Sequence, residues 1–453
     1  MSFFSCPAKK LFADLQENAM VDKKLQSMSA FFNFRLAKML CKLFFSSGFF
    51  LLSAQLFFSF LTAQAKLELG VDVFFQQKKF ESWKNKRLGL IVNQTSLNKD
   101  LKSTILLFQE QKELCLVALF SPEHGLRGLH YAGEKVEAQE ALHNLPVYSL
   151  HGQNRRPSEE MLKKIDVLIY DIQEIGIRPY TYATTLFYAI EEAAKKNIEV
   201  IVLDRPNPIN GILVEGPLLD EELRSFVGYI NVPYVHGMTI GELALFFNQE
   251  YKIGAKLTVI PMKGWKREMS YQETGLSWIP TSPNIPESDT PLYCASTGIL
   301  GELSLVNIGI GYTMPFKIIG APWINAKNLA QKLNAQKLPG VKFLPFYFRP
   351  FFGPYKGENC QGVQIVITDA QSYHPLASQY LLIGLLKTLY PERFAEKLAA
   401  LKPDRQKFFN QINGSPRILE TLKNEKYAAW KLFEIKEKDL QGFLAKRAQY
   451  LLY

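Results

Sequence analysis

A short stretch near residue 120 carries four side chains with acid–base or anion-binding chemistry. The segment Phe120–Gly133 presents Glu123, His124, Arg127 and His130 within eight residues, directly after an uninterrupted apolar run. A carboxyl group, two imidazoles and a guanidinium are costly to bury unpaired, and loops on a rigid scaffold often carry catalytic groups. The stretch therefore predicts either a catalytic loop or a polar turn whose glutamate caps a helix.

The elements around this stretch alternate between strands and helices. Strands are predicted from short apolar runs at Arg87–Asn93, Leu114–Phe120, Leu145–Leu150, Asp166–Ile172, Ile198–Leu203 and Lys256–Ile260. Helices are predicted at Lys102–Gln111, Glu159–Lys164 and Tyr182–Lys196, and after a capping box formed by Thr239 and Glu242. This alternation predicts an α/β fold, in which a Rossmann-like domain has a parallel, doubly wound sheet with helices on both faces.

Polar residues follow four of the predicted strands. The carboxyl ends of parallel strands share one edge of the sheet, and ligands bind outside that edge. The residues expected there are Asn93, Gln94, Glu123, His124, Asp171, Gln173, Asp204, Arg205 and Asn207. Four polar clusters that converge on one edge indicate a functional site.

The pattern changes from about Gly264 onward. A segment rich in Pro, Ser and Gly, residues 279–322, interrupts the helix–strand alternation. Strands are then predicted at Gly340–Pro345 and Gln361–Thr368, and helices at Pro375–Tyr390, Ser415–Lys423 and Glu437–Tyr453. We therefore expect a Rossmann-like domain over residues 66–262 and a smaller α+β domain over residues 263–453.

The first 65 residues have the features of a secretory signal peptide with an N-terminal extension. Leu43–Ala63 is a run of 21 residues without a charge that follows Lys38 and Lys42. The small-residue motif Ala63-Gln64-Ala65, typical of a cleavage site, lies at its end. An uncleaved membrane anchor is the alternative, because the apolar run is long enough to span a bilayer. Met39 is an alternative start residue. The sequence thus predicts an exported protein, periplasmic or secreted, that meets the membrane only through its signal segment.

Composition narrows the class of partner. The chain has 53 Lys and Arg against 43 Asp and Glu, and a mild positive balance remains without the first 65 residues. That balance suits an anionic polymer such as a cell-wall glycan. No dense basic run with interleaved aromatics is present, which argues against nucleic acid. Three cysteines remain after residue 65, Cys115, Cys294 and Cys360, and such a sparse, odd set is no disulfide framework.

Several common chemistries lack their sequence signatures. No Gly-x-Gly-x-x-Gly follows the first strand, no Walker A loop is present, and no Gly-x-Ser-x-Gly elbow occurs. Glu123, His124 and His130 have metal-binding side chains, but their spacing matches no known zinc site. We therefore expect neither a cofactor nor a metal.

Ten short motifs, spread over nearly all of the chain after residue 65, are shared with one known family. They lie at 89–95, 120–128, 132–134, 171–182, 203–209, 214–217, 233–239, 282–284, 320–323 and 362–364. Examples are Phe-Ser-Pro-Glu-His-Gly-Leu-Arg-Gly at 120–128 and Leu-Asp-Arg-Pro-Asn-Pro-Ile at 203–209. The chain resembles the NamZ-type exo-β-N-acetylmuramidases, a family long known only as a domain of unknown function.

The resemblance implies a fold and an activity. The fold would be a Rossmann-like domain joined to a smaller domain, with the active site in the cleft between them. The activity would be release of N-acetylmuramic acid from non-reducing ends of peptidoglycan fragments, so the partners are peptidoglycan-derived muramyl saccharides. A non-catalytic periplasmic binder of cell-wall glycan is the alternative, and it would not need Glu123. An NAD-linked glycosidase or dehydrogenase is disfavoured by the missing glycine loop.

One departure from the family pattern concerns the sugar. Many members have Asn and Arg where this chain has Leu305 and Ile310. We expect these two positions to face the cleft, which leaves the exact substituents of the sugar open.

Glycoside cleavage assigns roles to the predicted site. The expected catalytic residues are Glu123, His124 and Asp171. Glu123 is the expected general acid. Asp171 is the second carboxylate, which acts as nucleophile, acts as base or orients a 2-acetamido group. The alternative for Asp171 is to cap the amides of its loop. The substrate-binding candidates are Asn93, Gln94, Arg127, Gln173, Arg178, Tyr180, Tyr182, Arg205, Asn207 and His236. The arginines suit the lactyl carboxylate of muramic acid, unless they form structural ion pairs, and the tyrosines stack on a sugar or pack the helix start.

Overall fold

The computed structural model describes residues 67–134, 139–142, 144–435 and 440–453. The predicted signal segment, Met1–Ala65, lies outside these ranges. Within them, no helix combines the length and the apolar character needed to cross a bilayer.

A seven-stranded sheet, counted over the described ranges, organises the N-terminal part. Its strands are β1 (Arg87–Val92), β2 (Cys115–Ser121), β3 (Gln139–Leu142), β4 (Leu145–Ser149), β5 (Val167–Asp171), β6 (Glu199–Leu203) and β7 (Leu257–Ile260). The strand order is β3-β4-β2-β1-β5-β6-β7, and every neighbouring pair is parallel except β3 with β4. The order reverses at β1, so the polar ends of β1, β2 and β5 meet at the crevice of a doubly wound sheet.

Helices cover both faces of this sheet. They are α1 (Gly70–Gln76), α2 (Thr104–Glu110), α3 (Glu159–Leu162), α4 (Thr181–Lys195) and α5 (Ile240–Glu250). Leu168 and Tyr170 of β5 pack in a core with α4 and α5, whereas Val167 and Ile169 pack in a second core with α1 and α2. Successive residues of a strand point to opposite faces, so the uninterrupted apolar runs of the sequence reflect burial on both sides. The predicted Rossmann-like α/β architecture is confirmed.

The C-terminal part is the predicted α+β structure. Strands β8 (Ile318–Ala321), β9 (Val341–Phe348) and β10 (Cys360–Ile367) form an antiparallel sheet in the order β8-β10-β9. Its helices are α6 (Thr290–Glu302), α7 (Ala326–Asn334), α8 (Pro375–Leu389), α9 (Pro391–Ala400), α10 (Pro403–Asn413), α11 (Arg417–Asn424), α12 (Ala428–Ile435) and α13 (Leu440–Arg447), with a 3-10 turn at Ala448–Tyr450.

Part of the C-terminal expectation was wrong. Helix α6 lies within the segment 279–322, where helix–strand alternation was expected to lapse. Ten of its residues are buried, from Thr290 to Leu300. A helix that is buried nearly all round has no amphipathic period, which is why its sequence gave no helical signal. Helices α7, α9, α10 and α12 were not predicted either. In the described part of the helix expected at Glu437–Tyr453, the α-helix spans Leu440–Arg447 and a 3-10 turn follows at Ala448–Tyr450.

Several contacts tie the two parts together. Ile175 and Ile177, which follow β5, pack in the core of α6 and α8. The chain end returns to the first sheet, where the Tyr453 hydroxyl donates to Asp204 Oδ2 over 2.7 Å and Arg447 donates to the Gly237 carbonyl over 3.1 Å. Lys66–Tyr453 is accordingly one compact unit, and the boundary at residue 262 stays a prediction.

Candidate active site

The register of two parallel strands brings Glu123 next to a histidine. Ser121, the last residue of β2, pairs with Ser149, the last residue of β4. Glu123 and His151 each lie two residues beyond that pair, at the same edge of the sheet. Their side chains meet there, with His151 Nε2 3.8 Å from Glu123 Oε1.

Two protein donors hold the Glu123 carboxyl group. The Gly133 backbone N–H donates to Oε1 over 2.9 Å, and the Thr181 hydroxyl is 2.6 Å from Oε2. Thr181 is the first residue of α4, but its bond to Glu123 comes from the side chain and not from a backbone N–H, so Glu123 lies at the start of the helix without capping its amides. The group that contacts Oε2 is a rotatable hydroxyl, which can accept a hydrogen bond as well as donate one. Glu123 is buried, with 8 % of its surface exposed.

Glycine geometry shapes the loop that follows Glu123. Gly128 has φ +69°, and a Cβ there would lie 2.6 Å from the Gln94 side chain. His124 also adopts a left-handed φ of 72°, and its Nδ1 lies 2.7 Å from the His130 carbonyl. His124 thus closes the loop instead of facing Glu123 through a hydrogen bond. Arg127 lies on the exposed side of this loop.

His151 is a site residue that the sequence analysis did not select. It is 5 % exposed, burial lowers the pKa of its imidazole, and its Nδ1 is buried without a hydrogen-bond partner in the described part of the chain. The imidazole is therefore neutral at neutral pH. The available signal was its position directly after the predicted strand Leu145–Leu150, in register with the strand that carries Glu123.

Asp171 and Arg205 form a fully buried ion pair. Arg205 Nε donates to Asp171 Oδ1 over 2.6 Å, and the Thr104 hydroxyl donates to Oδ2 over 2.5 Å. A second guanidinium nitrogen of Arg205 donates to the Leu97 carbonyl over 2.8 Å. Both carboxylate oxygens are occupied, and Asp171 is 0 % exposed. These contacts favour the structural interpretation of both residues.

Arg178 is likewise engaged by the protein. Its guanidinium donates to the carbonyls of Pro217, Val232 and Ile412 over 2.8, 2.7 and 3.2 Å. Burial lowers the pKa of Arg178 to about 10. The Ile412 contact joins α10 to the Rossmann-like part. These bonds indicate a structural role for Arg178. Of the three candidate arginines, Arg127 is exposed and the other two are buried.

Three other candidates hold one segment of the second part against the site. Gln94 Nε2 donates to the carbonyls of Pro280 and Thr281 over 2.9 and 3.0 Å. The Tyr180 hydroxyl donates to Thr281 Oγ1 and the Tyr182 hydroxyl to the Thr281 carbonyl. The Tyr182 ring also packs edge-on against His124, with centroids 6.3 Å apart. This segment precedes α6, so these residues join the two parts at the polar edge.

The remaining candidates serve the turns after their strands. Asn93 accepts from the Thr95 N–H, Asn207 donates to the Met238 carbonyl, and His236 Nδ1 accepts from the Met238 N–H over 3.2 Å. Burial lowers the pKa of His236 to about 3, so its imidazole is neutral. Gln173 donates to the carbonyls of Glu174 and Pro206.

A small cavity at the same edge is lined in part by Gln173. Its lining also includes Thr95, Leu97, Arg205 and Tyr271. Within the described chain, Asn93 Nδ2 and Gln173 Oε1 are buried without hydrogen-bond partners. These two atoms follow β1 and β5, where the strand order reverses. The region there is polar, and part of its hydrogen-bonding capacity is unsatisfied.

The two positions that were expected to face the cleft, Leu305 and Ile310, belong to the C-terminal part. Leu305 is 4 % exposed and belongs to the core of the C-terminal part, so the expectation that it faces a cleft was wrong. Ile310 is partly buried and packs against the same core.

Over the described ranges, no group of three or more His, Cys, Asp or Glu side chains is arranged to hold a metal ion.

Fold and site together define a two-part α/β protein with a Rossmann-like sheet and a glutamate at its polar edge. Models of known protein families identify the family to which this chain belongs. The model for the N-terminal domain of the exo-β-N-acetylmuramidase NamZ matches residues 88–289, and the model for its C-terminal domain matches residues 292–453. The chain belongs to the NamZ exo-β-N-acetylmuramidase family.

Individual relatives agree with this assignment. The chain is 40 % identical over 389 residues to the peptidoglycan β-N-acetylmuramidase NamZ of Bacillus subtilis, covering 86 % of this chain and 92 % of that protein. A DUF1343 family protein from Bacteroides fragilis matches with a TM-score of 0.80 and 41 % identity, over 86 % of this chain and 99 % of the other. A second B. fragilis protein of that family, 28 % identical, matches with a TM-score of 0.65 over the same shares.

The ion-pair interpretation of Arg205 makes a stability prediction. Arg205→Met leaves the Asp171 carboxylate buried without its cation, so the free energy of unfolding should fall by about 3–5 kcal/mol. Urea unfolding measures the change. Arg393→Met, at an exposed arginine of α9, should change stability by no more than about 0.5 kcal/mol. A stable Arg205→Met protein with weakened binding of muramides would instead assign Arg205 to the substrate.

Proposed function

We propose that the chain is an exo-acting glycoside hydrolase that releases N-acetylmuramic acid from non-reducing ends of peptidoglycan fragments. Family membership over both parts of the chain supports the proposal, as does 40 % identity to the peptidoglycan β-N-acetylmuramidase of B. subtilis. The observation that carries it is Glu123, a nearly buried carboxyl group held by Gly133 and Thr181 at the edge of the sheet where ligands bind.

Glu123 is the proposed general acid. A glycosidic bond breaks when an acid protonates the leaving oxygen while positive charge develops at the sugar. The Gly133 N–H fixes Oε1 as an acceptor. Oε2 faces a hydroxyl that can rotate, so it is the oxygen that can carry the proton and give it to the leaving group.

Asp171 is not the proposed nucleophile. Attack on the sugar would require it to leave both Arg205 and Thr104. A 2-acetamido sugar can supply its own nucleophile, the acetamido oxygen, in place of a second carboxylate. We propose that Asp171 instead fixes Arg205 and the loop after β1, beside which the sugar binds.

Arg127 is the proposed contact for the lactyl carboxylate of N-acetylmuramic acid. It is exposed on the loop that begins at Glu123, whereas Arg178 and Arg205 are buried and bonded to protein groups. A guanidinium recognises a carboxylate through paired, charge-assisted hydrogen bonds. This contact would distinguish muramic acid from glucosamine, which lacks the lactyl group.

Removal of Arg127 should therefore weaken recognition of muramic acid alone. In the Arg127→Gln variant, the inhibition constant of N-acetylmuramic acid should rise about 10-fold or more, as expected for a lost hydrogen bond to a charged group. Inhibition by N-acetylglucosamine should change little. Arg393→Gln is the control for loss of an exposed charge. An equal loss for both sugars would refute the assignment of Arg127.

Glu123→Gln tests the catalytic proposal. The substitution keeps the shape but removes the titrating proton, so kcat on natural fragments should fall by about 10²–10⁴-fold. The basic limb of the pH profile should disappear, because that limb reports ionisation of the acid. A nitrophenyl muramide should lose less activity, since its leaving group needs little protonation.

Product binding separates this proposal from a non-catalytic glycan binder. The Glu123→Gln protein should melt near the wild-type temperature and bind N-acetylmuramic acid with nearly unchanged affinity. Wild-type protein that binds muramyl saccharides without releasing sugar would favour the binder. Near-normal turnover by Glu123→Gln would remove Glu123 from the mechanism.

We also propose that the protein is exported to the periplasm or secreted, after removal of Met1–Ala65. The support is the apolar run Leu43–Ala63 before Ala63-Gln64-Ala65, together with a cell-wall substrate. N-terminal sequencing of the exported protein should begin at Lys66, within a few residues. Full-length chain retained in the membrane fraction would contradict the proposal.

A further inference from the structure

His151 is buried beside Glu123, and the mechanism above does not use it. We propose that His151 is a positioning residue that donates a hydrogen bond from Nε2 to Glu123 Oε1, and so leaves Oε2 to carry the catalytic proton. This inference rests on the proposed role of Glu123 as general acid. It adds a residue from the loop after β4, a strand whose end contributes nothing to the site predicted from the sequence.

Strand pairing gives the contact its rigidity. Ser121 and Ser149 are paired across β2 and β4, and the two side chains follow at equal distances from that pair. The Ser149 hydroxyl also donates to the His151 carbonyl over 3.0 Å. The imidazole also packs against Phe226, with ring centroids 5.7 Å apart. The backbone and the ring of His151 are therefore both fixed.

The surroundings of His151 favour the tautomer with a proton on Nε2. Nδ1 is buried and has no partner among the described residues. A buried N–H without an acceptor is costlier than a lone pair without a donor, so the proton belongs on Nε2, which faces Glu123. The distance of 3.8 Å exceeds a hydrogen bond. Because His151 is fixed, we expect the Glu123 side chain to move about 1 Å toward it when substrate fills the site, as catalytic hydrogen bonds often tighten on binding.

The charge of His151 matters as much as its position. An imidazolium would hold Glu123 ionised and block its action as an acid. Burial lowers the pKa of His151, while Glu123 acts in the opposite direction. The other charged or titratable groups acting on it are Arg155, His124 and His130, and each disfavours the imidazolium. His151 is thus a neutral donor.

A neutral donor on Oε1 assists the reaction at a defined moment. When Oε2 gives its proton to the glycosidic oxygen, negative charge develops on the Glu123 carboxylate. The Gly133 N–H and His151 Nε2–H then both stabilise that charge, as preorganised donors do in a site that excludes water. The proton passes only from Glu123 to the leaving oxygen, and His151 keeps its own.

His151→Phe removes the donor and keeps an aromatic ring against Phe226. On natural muramyl fragments kcat should fall by about 10-fold or more, with KM nearly unchanged. The basic limb should move to higher pH, because a carboxylate that has lost a donor holds its proton more tightly. A nitrophenyl muramide should lose less activity. His151→Gln, whose amide can still donate to Oε1, should recover part of the rate and of the limb position.

Two further variants complete the test. Phe226→Leu disturbs the packing of the imidazole without removing its nitrogen, so the limb should stay in place. If His151→Phe does not fold, His151→Asn, which is too short to reach Oε1, should show the shift that His151→Gln lacks. Equal losses on both substrates with an unmoved limb would overturn the proposal. If Glu123→Gln is inactive and His151→Phe keeps wild-type activity, the proposed role of His151 is wrong and that of Glu123 stands. If Glu123→Gln is active, the proposed general acid itself is wrong.

Discussion

The polar edge of the sheet is organised by one buried ion pair, Asp171 with Arg205. The pair joins the end of β5 to the second residue after β6, and its further bonds reach Thr104 of α2 and the Leu97 carbonyl after β1. Burial of two charges costs free energy that their attraction only roughly offsets. The value of the pair therefore lies in geometry: it fixes three loops at the point where strand order reverses.

Most of the first sheet could be predicted from the sequence, because buried parallel strands are short apolar runs in which polar and apolar residues do not alternate. The capping box also held, since the Glu242 N–H donates to Thr239 Oγ1 and the Thr239 N–H donates to Glu242 Oε2. Helix α6 could not be predicted, because burial on nearly every side removes the period that reveals a helix. The sequence shows which residues are apolar, but it does not show how many neighbours surround them.

The position of the strand-end residues could be predicted from the sequence, but their contacts could not. The strand-end residues do share one edge, yet Arg178 contacts three backbone carbonyls whose approach depends on segments up to residue 412. Residue type cannot reveal such partners. His151 was missed for the opposite reason: a lone histidine after a short strand has no motif, and only the pairing of β2 with β4 brings it to Glu123.

Burial also sets the charge state of several ionisable side chains in the interior of the protein. Glu174 is buried, its pKa is raised to about 8 by desolvation, and its Oε2 accepts from the Ile175 N–H. His151 and His236 are driven by burial in the other direction, toward the neutral imidazole. All three groups are thus uncharged near neutral pH, and Asp171 is compensated by Arg205. A general acid must keep and then release a proton, and any fixed charge nearby would favour one of those states. For Glu123 as the proposed general acid, the neutral imidazole of His151 at 3.8 Å adds no such fixed charge.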